Sequence, residues 1–189
     1  MNENKKKKIL WLGDDIRFFS GIATMSREII FGTLKKYDYA CLGGATQHPE
    51  YGKMIDMSSA AAKETGITDA YVHIYPTNGY GNDEILTAVM NVEKPDAICM
   101  ITDPRYYGWL FLLERKIRQK IPICYYHIWD DIPYPMWNRP FYQSCDNLMA
   151  ISKQSNNIAK WVIRPEFCRT IDGEFDNNGK LIADNKGEN

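Results

Sequence analysis

A chain of 189 residues with 44% hydrophobic and 25% charged residues has the length and composition of one ordinary globular domain. Its formal net charge of −1 hides a small polarity: "MNENKKKK" carries a net +3 and residues 169–189 a net −2, with no basic stripe between them. Residues 1–7 therefore read as a solvated basic end, and no nucleic-acid partner is expected.

Cys41, Cys99, Cys124, Cys145 and Cys168 are an odd, widely spaced set without a CxxC pair. That pattern argues against a disulfide framework or a structural zinc site and for a reducing compartment. No run approaches the roughly 18 apolar residues of a membrane span, and the N-terminus lacks a signal-peptide core. A cytoplasmic protein without a transmembrane segment is expected.

In chain order, "KILWLG" predicts a first strand, and "SGIATMSREIIFGTLKK" a helix capped by Ser20 with Ile22, Met25 and Ile29 as its apolar stripe. "YDYACLGG" follows as a strand closed by paired glycines. "KMIDMS" and "AYVHIYP" read as short strands around the alanine-rich "SAAAKETG". "NDEILTAVMNVEKP" is helical until Pro95, and "DAICMITD" is an apolar strand ending at Asp103. "YYGWLFLLERKIRQK" predicts a helix with Tyr106, Leu110, Leu113 and Ile117 on one face. The strand "IPICYYHIW", a proline-rich loop, the strand "NLMAIS" and the helix "KQSNNIAKWVI" complete the pattern. After Pro165 it stops, and Asn178–Gly179 offers the turn of one hairpin.

Alternating strands and helices predict an α/β fold: a Rossmann-like, open, mostly parallel sheet with helices on both faces, as a single domain over residues 8–163. Residues 164–189 form a polar extension.

In such sheets ligands sit beyond the carboxyl ends of the strands. Three stretches place chemistry there. "LGDDIRFFSG" sets Asp14, Asp15, Ser20 and Gly21 between the first strand and helix, where phosphate is held on helix amides. It is neither GxGxxG nor a P-loop, which removes the main support for nicotinamide or P-loop chemistry. Asp103 ends a second strand. "HIWDD" adds His127, Trp129, Asp130 and Asp131 at the end of a third.

Each has a plainer reading. Gly21 can simply permit a tight turn, and His127 can be a hydrogen-bonded core histidine. Three ligands as close in sequence as His127, Asp130 and Asp131 cannot easily surround one ion, so no metal is expected. Asp14 and Asp15 are similar to the paired magnesium-holding acids of a receiver domain, with Asp56 near the phosphoacceptor place. The lysine–proline that such domains carry after the fifth strand has no match in "ICYYHIWDD". Aromatics cluster in "DPRYYGWLF" and "YYHIWDDIPYPMWNRPFY", interrupted by prolines and charges, a mixture that suits stacking on sugars or bases.

Together, "LWLGDD…SGIATMSREI", "YYHIWDD" and "NLMAISKQS" resemble the N-terminal, acceptor-side domain of a GT-B-fold retaining glycosyltransferase of bacterial or phage type, over about Lys8 to Val162. The resemblance implies transfer from a nucleotide sugar to a glycan or other acceptor, with no further cofactor. It places Ser20 and Gly21 near the donor diphosphate and His127 near the donor sugar. Strand-end geometry adds Asp14, Asp15, Asp103, Trp129, Asp130 and Asp131 as cleft or acceptor-side candidates. Family members carry a second, donor-binding Rossmann-like domain beginning near the position of Pro165, so a separate or missing donor-binding domain is expected. The alternative is a non-catalytic nucleotide- or glycan-binding protein.

Overall fold

Eight residues near the start of the chain, "KKILWLGD", form the strand around which the fold is built. A computed structural model describes residues 5–163 and the backbone of two short strands, Glu174–Phe175 and Leu181–Ala183. Its elements are β1 (Lys7–Asp14), α1 (Gly21–Thr33), β2 (Tyr37–Gly44), β3 (Ile55–Asp56), α2 (Ser58–Thr65), β4 (Val72–Pro76), α3 (Asp83–Glu93) and β5 (Ala97–Ile101). There follow α4 (Gly108–Ile117), β6 (Ile123–His127), α5 (Arg139–Gln143), β7 (Asn147–Ala150) and α6 (Lys153–Ile163), with 3-10 turns at Pro104–Tyr107 and Met136–Asn138.

The sheet has seven strands in the order β3-β4-β2-β1-β5-β6-β7. All neighbours are parallel except β3, which pairs antiparallel with β4. With β3 set aside, the parallel strands run 3-2-1-4-5-6 in chain order, the Rossmann arrangement. Side chains alternate between two cores. Leu10, Leu12, Ile98, Met100 and Tyr125 face α3 to α6, while Trp11, Cys41, Cys99 and Ile101 lie on the face that carries α1 and α2. Strands buried on both faces read as continuous apolar runs, which is why they were visible in the sequence. The Rossmann-like open sheet with helices on both faces is thus the architecture observed.

The helix registers differ from expectation in two places. In α1 the buried residues are Ala23, Ser26, Ile30 and Phe31, while Ile22, Met25 and Ile29 are only partly buried. Close approach selects the small residues. A Cβ on Gly13 of β1 would already meet Ile101 Cγ2 at 2.8 Å and Ser26 Oγ at 3.6 Å. In the next case Leu110 and Ile117 are buried as expected, but Tyr106 is 57% exposed and Tyr107 1%. Pro104 and the Asp103 cap impose a 3-10 turn before α4 begins at Gly108, and three residues per turn shift the phase by one position.

"KMIDMS" supplies only the two-residue edge strand β3, and "SAAAKETG" is helix α2, ended by Gly66 at φ 74°. Helix α3 ends at Glu93, with Lys94 in the left-handed region just before Pro95. The segments Glu174–Phe175 and Leu181–Ala183 pair antiparallel, and the Asn178–Gly179 turn lies outside the described residues, as does Cys168.

Away from the strand ends, Lys8 Nζ, Tyr71 Oη, His73 Nδ1 and Tyr75 Oη lie 2.6–2.9 Å from the buried Glu93 carboxylate. Burial opposes ionisation, but these partners hold the carboxyl down at about 2.

Candidate functional site

Connections leave the neighbouring strands β1 and β5 toward opposite faces, α1 to one core and α4 to the other, which opens a crevice at their carboxyl ends. Asp14 lies in it. Its carboxylate accepts from Ser20 Oγ at 2.6 Å and from Tyr80 Oη at 3.2 Å. Ser20 Oγ in turn accepts from the Ala23 amide at 2.9 Å, so the cap of α1 is tied to the acid. A carboxylate thus already stands at the positive end of this helix. Gly21 opens α1 at the surface, and a Cβ there would meet nothing within 4 Å. The position carries no packing need for glycine.

Asp15 turns the other way, because successive side chains of a strand alternate. It is fully buried and gripped by Arg17, whose Nε and Nη2 reach its two oxygens at 3.0 and 2.8 Å. Arg17 Nη1 also reaches Glu50 at 2.8 Å. His48 Nδ1 accepts from the Glu50 amide at 3.1 Å, and its Nε2 lies 3.2 Å from both Asp15 Oδ2 and Arg17 Nη2. Gly43 makes room for this carboxylate, since a Cβ there would lie 2.9 Å from Asp15 Oδ2. A Cβ on Gly44 would collide with the Gly79 carbonyl.

The paired acids therefore do not form one cation site. Asp56 sits exposed on the antiparallel edge strand and accepts from the Ser58 amide. A receiver-like reading needs these acids to share one cation, and here each has its own partners. Among the described residues no group of three or more His, Cys, Asp or Glu converges as a metal ion needs.

Beyond Asp14 the crevice is aromatic. The Tyr80 ring, half-buried, stacks on the exposed Tyr106 at 4.6 Å and 20°, and Tyr107 packs edge-on beneath it. Burial, and then the Asp14 charge, push the Tyr80 hydroxyl up to about 12. Next to Tyr106, Arg105 forks onto Asp103 with contacts of 2.6–3.0 Å and lies 5.7 Å over the ring of Trp137. Burial works against the Asp103 charge, yet hydrogen bonds from Arg105 hold the carboxyl below its usual range. Trp137, itself 44% exposed, meets Trp129 edge-on at 5.6 Å.

The "HIWDD" group is divided. His127 points inward, with no exposed surface, between Tyr125 and Tyr142, whose rings stand edge-on at 6.0 and 5.0 Å. Neither ring nitrogen has a hydrogen-bond partner among the described residues. Burial without a partner lowers its pKa to about 4, so the imidazole is neutral at pH 7. Trp129 is half-buried and donates from Nε1 to the Asp131 carbonyl at 2.7 Å. Gln154 donates to the Asp130 carbonyl at 2.6 Å, and both aspartate side chains are exposed.

Of the expected site residues, the structure joins Asp14 to Ser20 and puts Asp103 and Trp129 along the same crevice. Asp15 and His127 are buried away from it. Sequence reasoning missed Tyr80, Arg105, Tyr106 and Trp137 as individuals. Their signal was compositional, the aromatic clusters, and gave no indication of which rings face out. Open pockets of about 410 Å³ beside α3 and about 510 Å³ under α1 are lined by none of these groups.

Among the described residues no helix is long and apolar enough to cross a membrane. No protein-family model matches the sequence, and a search of curated proteins returns no match.

Proposed function

We propose that this chain is the acceptor-side half of a nucleotide-sugar-dependent glycosyltransferase, acting with a second, donor-binding domain. The observation that carries the reading is the crevice at the switch point of a Rossmann-ordered sheet, where Asp14 links the start of α1 to an aromatic wall. Glycosyl transfer passes through an oxocarbenium-like transition state and releases a nucleoside diphosphate, so it needs support at both the sugar and the phosphate. Amides around Gly21, on the exposed side of the helix start, suit the leaving phosphate. Carboxylates along the crevice suit an acceptor hydroxyl. The resemblance gives the role at the donor sugar to His127, whose ring stands between Tyr125 and Tyr142.

The burial of His127 favours a second reading, a non-catalytic nucleotide- or glycan-binding protein. Titration calorimetry with UDP-glucose, GDP-mannose and dTDP-glucose separates the two. A half-site without the donor domain is expected to bind near the millimolar range, about −4 kcal/mol, because few contacts must offset the lost freedom of the ligand. Micromolar binding by this chain alone overturns the half-enzyme account and establishes the binder. In the completed enzyme, His127→Ala is expected to lower turnover about 100-fold or more, and normal turnover removes the histidine from the chemistry.

A further inference from the structure

We propose that the shelf formed by Tyr106, Arg105 and Trp137 binds an uncharged oligosaccharide, with sugar rings stacked on the two exposed aromatic faces. The proposal rests on reading the crevice as an acceptor site, though not on transfer itself. Large aromatic side chains are usually placed in a core, yet Tyr106 is 57% and Trp137 44% exposed, and both pack against neighbouring side chains. Tyr106 lies flat on Tyr80, and Trp137 is braced between the Arg105 guanidinium and Trp129. Exposed rings already packed on one side stack against a ligand at little entropic cost.

Charge decides the class of ligand. Single-stranded nucleic acid also stacks on aromatics, but it requires a positive groove. Here the shelf's own cation, Arg105, is already forked onto Asp103, and Asp130 and Asp131 add two exposed carboxylates next to Trp129. Asp14 lies behind Tyr80 at the other end. An anionic chain is repelled from such a surface. A neutral glycan is not: its hydroxyls donate to carboxylates and its C–H faces lie on the rings.

The test is titration of the full chain, without any nucleotide sugar, with cellohexaose, maltohexaose and mannohexaose. A hyaluronan hexasaccharide and the oligonucleotide dT10 serve as anionic counterparts. At least one neutral hexasaccharide is expected to bind, with a dissociation constant of about 0.1–1 mM, and the anionic probes at least tenfold more weakly. Trp137→Ala and Tyr106→Ala should each weaken binding about tenfold or more. Thermal unfolding checks the fold of each variant. If Trp137→Ala does not fold, the largely exposed Tyr106 carries the test.

Failure of all three neutral hexasaccharides to bind overturns the proposal, as does equal or tighter binding of either anionic probe. Unchanged affinity in the folded variants overturns it as well. Neutral-glycan binding without any transfer, with the donor domain supplied, removes the glycosyltransferase reading and keeps this one. Transfer without such binding does the reverse.

Discussion

Lowering the pH from 7 to 4.5 should destabilise this protein through one side chain, His127. In the folded state the ring is buried with neither nitrogen hydrogen-bonded, and it stays neutral down to about 4. In the unfolded chain it takes up a proton near pH 6.5. Between those values the unfolded state holds more protons, so stability is complete above about pH 6.5 and declines as pH falls toward 4. A gap of roughly 2.5 pH units corresponds to about 3 kcal/mol, of which about 2.5 is lost by pH 4.5.

Replacing the ring with leucine leaves no buried donor or acceptor unpaired, so His127→Leu should be near neutral at pH 7. Urea unfolding of both proteins at pH 7 and pH 4.5 isolates the effect, because other titrating groups cancel in the comparison. The native protein should lose about 2.5 kcal/mol more than the variant over this interval. Equal losses would refute the reasoning, and so would an NMR titration of His127 in the folded protein near pH 6.5.

Three further outcomes are expected. Glu93→Gln removes a charge that Lys8 pairs with at 2.7 Å and should cost about 2 kcal/mol at pH 7 by urea unfolding. Because the folded carboxyl titrates at about 2, this contribution is present above the unfolded value near 4.5 and is lost as pH falls through about 2. Gly43→Ala drives a methyl against the Asp15 carboxylate, 2.9 Å away, and should cost about 2 kcal/mol or more; a melting temperature within a degree of the native one would exclude this packing. Gly21→Val enters open space, so its melting temperature should hold while donor use by the completed enzyme weakens; unchanged donor affinity and rate would remove the phosphate role.

The sequence alone determined the central strands and their alternation with helices. Burial on both sheet faces writes each of the central strands as an apolar run, and Ser20 and Pro95 mark a helix start and stop through local backbone rules. Only the tertiary structure decided which neighbouring residues share a site. Asp14 and Asp15 are adjacent in sequence, yet the pleat sends one to Tyr80 and the other to Arg17 and His48, which arrive from different loops. His127 was read as one constellation with Trp129, Asp130 and Asp131, but it keeps the phase of Tyr125 and points into the helix-covered core, while the chain after it turns outward. Tyr106 and Tyr107 exchanged roles through a 3-10 turn whose phase no helical periodicity carries. Side-chain direction at a strand end depends on what packs against it from far along the chain, and that information is absent from any local stretch.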